Sequence, residues 1–302
     1  MTNRVFVTGG SGFVGRHLLP RLAENGFKIR LLVMNETEAN RVKTPGVEFV
    51  YGTVNDLPVL MDSLKDVFAV IHLVAILREN KNATFAEVNI EGTKNMLAAA
   101  TENGVKRFIH MGILGASADP RFTYLHSKYL AEEAVRHSGL GYSILKPSVM
   151  FGPGAGFINA LIRSFKPYPF IAPVAGNGKT RLQPIWVEDV VSCLLKILEG
   201  EKIHQSVQIG GPQIFTYDQV LSAVMQAMRI KKPRLHVPVG LMRPLVWLME
   251  RASSNPPITM PELKALSVDN ITVEDAVKRE FGFDPKPLSE GLDYLKPAPA
   301  VP

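Results

Sequence analysis

At 302 residues, 46% hydrophobic and 21% charged, the chain can bury a large core and has the composition of a soluble globular protein. The formal charge of +6 comes from Lys and Arg scattered without a contiguous block, which argues against a nucleic-acid surface, and a single cysteine excludes an intramolecular disulfide framework. No window reaches the roughly eighteen apolar residues of a membrane span, and residues 1–4 run into the first strand with no signal peptide, so a cytoplasmic location is expected.

Val5, Phe6 and Val7 form an apolar run of the kind shown by a doubly covered strand, and Thr8-Gly9-Gly10-Ser11-Gly12 turns it into a helix. In a dinucleotide-binding turn, Gly9 or Gly10 supplies the bend, Gly12 lets a pyrophosphate approach the backbone, and Gly15 lets helix and strand pack closely. Ser11, Phe13 and Val14 complete that turn, and the helix start offers free N–H groups to phosphate. Two registers fit, GxGxxG from Gly10 and GxxGxxG from Gly9. Asn25-Gly26 closes the helix, which carries Pro20. Strands are then expected at 28–34, 47–51, 69–73, 106–111 and 142–146, with helices at 57–64, 85–102 and 124–137. Uninterrupted alternation of this kind predicts an α/β fold, a Rossmann-type doubly wound parallel sheet with right-handed crossovers.

Beyond Pro147 the texture changes. A helix is expected at 157–164, and 166–186, rich in Pro, Gly and aromatics, reads as loop. A helix at 187–198 and a strand at 207–209 follow, and Thr216 with Gln219 forms a capping box opening a helix to 228. Short helices at 235–237, 241–251, 261–266 and 273–280 alternate with Pro-rich joints, and 296–302 reads as a frayed tail. The expected organisation is a dinucleotide-binding domain over 1–155, with 187–210 returning to it, and a smaller, mostly helical substrate lobe over 156–186 and 211–302. Phe157, Ile158, Phe165, Tyr168, Phe170 and Trp186 are the expected lining of an apolar substrate pocket. The apolar segment 238–249 reads as a helix over the substrate cleft or, alternatively, as a surface for peripheral membrane or protein-complex contact.

Tyr124 and Lys128 stand four apart on an expected helix, which puts both side chains on one face. A phenol, with a pKa of about 10, works as an acid or base near neutrality only when a neighbouring ammonium favours its phenolate, and Lys128 is placed to do so. The pair opens the helix after the fifth strand, where ligands of such sheets collect. His72 and His110 fall on core strands and read as structural, Cys193 reads as a buried helix residue, and no grouping of His, Cys and carboxylates supports a metal site.

With these pieces in place the chain resembles the short-chain dehydrogenase/reductase superfamily of extended or atypical type, almost from end to end. The resemblance rests on TGGSGFVG, on Val70-Ile71-His72-Leu73-Val74-Ala75, on Val88-Asn89-Ile90-Glu91-Gly92-Thr93, on YLHSK, on Leu145-Lys146-Pro147-Ser148-Val149-Met150 and on Trp186-Val187-Glu188-Asp189. The carboxyl-terminal part looks most like the subgroup that holds NmrA-like proteins and the reductase-like accessory subunit of respiratory complex I. The resemblance implies that Tyr124 moves the proton, Lys128 tunes it and holds the nicotinamide ribose, and Asn89 holds a water against Lys128. It implies a cofactor bed of Gly9 to Gly15 together with Met34, Asn35, Thr53, Val54, Leu73, Val74, Ala75, Met111, Pro147 and Val149, besides Tyr124 and Lys128.

One departure bears on catalysis. The hydroxyl donor of the family, Ser or Thr, aligns to Gly112, and loss of such a donor costs about a hundredfold to a thousandfold in rate. Ser117 and Thr123 are the nearby hydroxyls. At the end of the second strand, where an acid selects NAD, the chain has Met34-Asn35, with Glu36 slightly late and Arg16, Arg41 and Lys43 nearest among bases; NADP(H) is therefore favoured over NAD. The expected function is an NAD(P)(H)-dependent oxidoreductase or epimerase-like enzyme acting on a rather apolar carbonyl or alcohol. The alternative is a non-catalytic NAD(P)-binding sensor or scaffold.

Overall fold

Residues 3–252, 259–265 and 268–296 are described by a computed structural model. The expected frayed tail beyond residue 296 and the end of the expected helix at 261–266 lie outside them. In chain order the first half forms β1 (Arg4–Thr8), α1 (Phe13–Glu24), β2 (Lys28–Val33), α2 (Glu36–Ala39), β3 (Glu48–Tyr51), α3 (Leu57–Ser63), β4 (Ala69–His72), a π-helical turn (Ala86–Glu91), α4 (Gly92–Glu102), β5 (Arg107–Met111), α5 (Thr123–Arg136) and β6 (Tyr142–Pro147). There follow β7 (Met150–Phe151), α6 (Gly156–Phe165), β8 (Ala172–Ala175), β9 (Arg181–Leu182), β10 (Ile185–Trp186), α7 (Val187–Glu199), β11 (Gln205–Ile209), β12 (Phe215–Thr216), α8 (Tyr217–Ala227), β13 (Arg234–Val237), α9 (Val239–Ala252), α10 (Met260–Ala265), α11 (Ala276–Phe281) and α12 (Leu288–Gly291).

The chain divides into two compact units, Met1–Pro147 with Val187–Gln208, and Ser148–Trp186 with Ile209–Pro302. The first is built on a seven-stranded sheet in the order β11-β6-β5-β4-β1-β2-β3, and its pairings β1–β2, β1–β4, β2–β3, β4–β5 and β5–β6 are all parallel. Successive strands move outward on either side of β1 and β4, so the loops after these two strands part at the point where a doubly wound sheet opens a ligand crevice. Val5, Phe6, Val7, Ala69, Val70 and Ile71 are fully buried, which is why both strands read as apolar runs and not as alternating ones. Under α3, α4 and α5 the core gathers Phe6, Val70, Phe108, Met96, Val135 and Ile144. α7 returns to pack on α1, where His17 Nδ1 and Glu188 Oε1 lie 2.5 Å apart and Arg21 stands 3.9 Å from the other carboxylate oxygen.

Two polar groups sit in this core. His72 is clasped between Thr8 Oγ1, at 2.8 Å, and Thr93 Oγ1, at 3.2 Å, and burial takes its pKa down to about 3. His110 stacks on His72 with ring centroids 5.5 Å apart, and among the described residues neither of its ring nitrogens has a hydrogen-bond partner. Both imidazoles are thus held neutral. Cys193 is buried, and burial pushes its thiol up.

The second unit differs from its sequence reading in three places. The expected loop 166–186 contains β8, β9 and β10, and the expected helix 235–237 is instead strand β13, paired in parallel with β8 through Arg234↔Ala172 to Val237↔Ala175. These runs are too short for periodicity to separate strand from helix, and the partners that decide lie about sixty residues apart. Residues 148–155 cluster here and not with the dinucleotide domain, because Val149 N–H donates to Asn270 Oδ1 (2.7 Å), β7 pairs with β10 and Phe151 packs on Trp186. The expected pocket lining also separates: Ile158 and Phe165 are fully buried in the core of the unit, while Phe170 is 81% exposed.

Candidate active site

The turn after β1 shows how the glycines divide the work. Gly9 alone among Gly9, Gly10, Gly12 and Gly15 takes a left-handed φ, of +71°, so it supplies the bend, and a Cβ on it would press on the Leu73–Val74 backbone at 3.0–3.1 Å. Gly12 donates to Gly9 O at 3.0 Å and stands exposed at the N-cap of α1 with no side-chain cap; a Cβ there would meet Gly9 O at 3.0 Å. A Cβ on Gly15 would fall 2.3 Å from Gly10 Cα, which ties α1 down onto the turn. Ser11 and Phe13 are half-buried and Val14 is buried beneath them. Uncapped N–H groups, a backbone open to close approach and the positive end of a twelve-residue helix together fit a pyrophosphate.

The other expected bed residues of the first unit gather on the same strand ends. Leu73 N donates to Thr8 O (3.2 Å) and Val74 N to Thr8 Oγ1 (3.3 Å), so Leu73, Val74 and Ala75 lie beside the glycine turn. Thr53 is exposed and accepts from Asn55 N, whereas Val54 is buried against Gly92 and serves packing. Pro147 offers its carbonyl to Leu114 N (3.1 Å), and Val149 lies in the second unit, where its carbonyl accepts from Ile185 N.

At the end of β2 the structure supplies a group that the sequence reading overlooked. Asn35 caps α2 through Glu38 N, and Glu38 Oε2 in turn accepts from Met34 N at 2.9 Å. The strand end that lacks an acid of its own therefore receives a carboxylate from four residues on. A single turn of helix, Glu36–Ala39, is too short to register as periodicity; Asn35 followed by Glu38, a capping signature, is the signal that marks it.

On α5, Tyr124 and Lys128 stand one turn apart. Lys128 is 3% exposed, and its Nζ donates to Met111 O, at the end of β5, at 2.8 Å. Burial draws its pKa down to about 8, with the Glu132 carboxylate pulling in the opposite direction. The Tyr124 ring packs on Phe85 with centroids 5.7 Å apart, and burial pushes its phenol above the ordinary tyrosine value. The expectation that Lys128 would bring Tyr124 down is not met by these residues alone, since burial drives both groups toward their neutral forms. Asn89 sits within the π-helical turn, which opens the expected continuous helix 85–102, and is 1% exposed. Its Oδ1 accepts from Ile76 N (2.9 Å), while its Nδ2 donates to Ile76 O (3.2 Å) and Ser127 Oγ (3.0 Å). Ser127 Oγ then donates to Tyr124 O at 2.7 Å. The loop after β4 and the first turn of α5 are thereby joined through one amide.

Gly112 is not a vacant hydroxyl position. A Cβ there would stand 2.6 Å from Glu132 Oε1, 3.0 Å from Ile144 Cγ2 and 3.1 Å from Lys146 Cγ. Glu132 is fully buried, bonded to Lys146 Nζ (2.7 Å) and Arg136 (3.2 Å), and its Oε1 accepts from Ile113 N at 3.4 Å. Any side chain at 112 would run into this ion pair, so the missing donor is a matter of packing as well as chemistry. Among the described residues no group of His, Cys, Asp and Glu is arranged to hold a metal ion, and no helix is long and apolar enough to cross a membrane.

The sequence model of the NAD dependent epimerase/dehydratase family matches residues 5–210. A mitochondrial protein of Arabidopsis thaliana, NADH dehydrogenase [ubiquinone] 1 alpha subcomplex subunit 9, is 27% identical over 90% of this chain and 71% of its own length. A ceramide reductase of Caulobacter vibrioides is 30% identical over 63% of this chain and 59% of its own. Among solved structures, the dTDP-glucose 4,6-dehydratase DesIV of Streptomyces venezuelae, determined with NAD bound, shares the fold with a TM-score of 0.73 at 20% identity, covering 97% of this chain and 95% of that one.

Proposed function

The chain belongs to the NAD dependent epimerase/dehydratase family, and from that premise we propose that it is an NAD(P)(H)-dependent oxidoreductase, or an epimerase-like enzyme, acting on a rather apolar carbonyl or alcohol with Tyr124 as the acid/base. The observation that carries this reading is the pairing on α5: Lys128 is buried with its Nζ held at the Met111 carbonyl, one turn from Tyr124, and the Asn89–Ser127 bridge fixes that turn to the loop after β4. A family cofactor supplies or accepts a hydride at its nicotinamide. In a reduction, a nicotinamide held at the glycine turn and beside Lys128 would supply the hydride, and Tyr124 would give its phenolic proton to the carbonyl oxygen, so that the substrate becomes an alcohol. Protonated Lys128 would stabilise the tyrosinate so formed, and bulk water reprotonates it. An apolar substrate is supported by the relative whose name is a ceramide reductase.

Glu38 favours NAD(H) over NADP(H) in this reading. A carboxylate at the end of β2 suits ribose hydroxyls and repels a 2′-phosphate, with Arg16, whose Nε lies 3.3 Å from Gly12 O, the basic group beside the turn. This reverses the preference drawn from Met34-Asn35 alone.

A second reading, a cofactor-binding protein without turnover, is favoured by the closed Gly112 position and by the similarity to a respiratory accessory subunit. One experiment separates the two. NADH and NADPH binding and oxidation are measured across a panel of quinones, aldehydes and ketones for the wild type and for Tyr124→Phe. The enzyme reading expects at least one substrate, with turnover lost in the variant and NADH affinity kept. Tight binding with no turnover on any substrate selects the second reading, and normal turnover by the variant overturns the role of Tyr124.

A further inference from the structure

In the second unit, helix α9 follows β13 and presents an exposed face that its own core does not use. Val246 is fully buried, whereas Leu241, Trp247 and Leu248 are 68%, 49% and 58% exposed. At 100° per residue, Leu241, Pro244, Trp247, Leu248 and Arg251 fall on one side of the helix, with Arg243 at its margin. Four of these six residues are apolar, and the Arg251 guanidinium lies 3.8 Å over the Trp247 ring.

Charge says what this face fits. Segment 219–251 carries Arg229, Lys231, Lys232, Arg234, Arg243 and Arg251 against the single acid Glu250, and so holds most of the net charge of the chain, +6. That acid is turned away from the open side, its Oε1 accepting from Met260 N at 2.7 Å. At the far end of β13 the same combination recurs: Lys232 Nζ bonds the carbonyl of Tyr168 at 2.5 Å, bringing the exposed Tyr168 and Phe170 loop beside Lys231 and Arg234. Aromatic and leucine side chains standing out among basic ones, with Asp218 paired to His236 and Glu250 to Met260 N, match the interface of an anionic bilayer: rings and leucines enter the headgroup boundary while guanidinium groups meet lipid phosphates.

We propose that α9 docks this protein peripherally on a membrane surface of anionic phospholipid, with Leu241, Trp247 and Leu248 entering the interface and Arg243 and Arg251 pairing with headgroup phosphates. This rests on the surface of the second unit alone and holds whichever way the dinucleotide site works. The test is co-sedimentation of the full chain with phosphatidylcholine vesicles, with and without phosphatidylglycerol. Expected is retention that needs phosphatidylglycerol, falls with added salt, and is accompanied by a blue shift in tryptophan emission that Trp247→Phe removes. Leu241→Glu with Leu248→Glu should abolish retention. Arg243→Gln with Arg251→Gln, which keeps the apolar residues, should weaken it about thirtyfold, since each basic group near such a surface contributes on the order of 1 kcal/mol. All five positions are exposed, so the thermal midpoint of each variant should match the wild type. Failure to sediment with phosphatidylglycerol vesicles overturns the proposal, as does retention that the leucine variants leave intact. Concentration-dependent self-association in the absence of vesicles, abolished by Leu248→Glu, would show instead that a second copy of the chain covers the face, and would equally overturn it.

Discussion

At the scale of single residues, the site is dominated by groups that burial has moved from their ordinary charge states. Lys128 has a pKa of about 8 in the folded chain, below the roughly 10 of an unfolded one. Below pH 8 it is charged in both states and its burial opposes folding. As pH rises from 8 toward about 10 the folded form releases its proton first, so stability should rise across that window. Urea midpoints should show this rise for the wild type, and Lys128→Met should flatten it; an unchanged slope in the variant would assign the titration elsewhere. Gly112 makes the second prediction. Gly112→Ser, which looks like restoration of a family hydroxyl, should instead overpack against Glu132, Ile144 and Lys146 and cost about 1–3 kcal/mol in urea unfolding, with no gain in turnover. The sequence shows that a donor is missing, but what fills its place is set by Glu132, twenty residues on, and no local pattern states that.

At the scale of elements, legibility followed length. The strands and helices of the first unit that exceed one turn could be read from apolar runs, glycine stops and caps, and the capping box of Thr216 and Gln219 is formed as the spacing indicates. The elements that could not be read are β13, decided by its remote partner β8, and α2, whose single turn is too short for periodicity and is marked only by the Asn35–Glu38 cap. The helix through Asn89 was legible in extent but not in winding, since a π turn alters neither composition nor periodicity over six residues. That turn has a defined job, which is to aim the Asn89 amide at both Ile76 and Ser127. Asn89→Leu, of similar volume, should leave the Ile76 N–H and C=O without their partner, remove the donor to Ser127 Oγ, and cost about 2–5 kcal/mol. Loss of protection of the Ile76 amide in hydrogen exchange would check it; an unaltered rate there would show that the amide is not what holds the loop.

At the scale of the molecule, both the parallel α/β architecture and a dinucleotide turn at its switch point were legible from the first fifteen residues and the alternation that follows them. Three residues of the expected cofactor bed, Gly9, Leu73 and Val74, come together because β1 and β4 are neighbours in the sheet and their ends lie side by side. The second unit was harder to read, since its two-residue strands pair across long intervals and carry little pattern of their own. Its basic, aromatic surface was divided between segments 166–170 and 231–251, and only the β8–β13 pairing shows that they adjoin.

The return of α7 to α1 carries a consequence for how the chain comes to be folded. The first unit is discontinuous: it is interrupted after Pro147 and resumed at Val187, so residues 148–186 are made before its last helix and strand exist. Until then β6 is an open sheet edge and the face of α1 that receives Glu188 is bare. A nascent chain ending within the insertion therefore carries a nearly complete dinucleotide sheet with an unprotected border. The contacts between α1 and α7, about 170 residues apart in the chain, would be among the last to form.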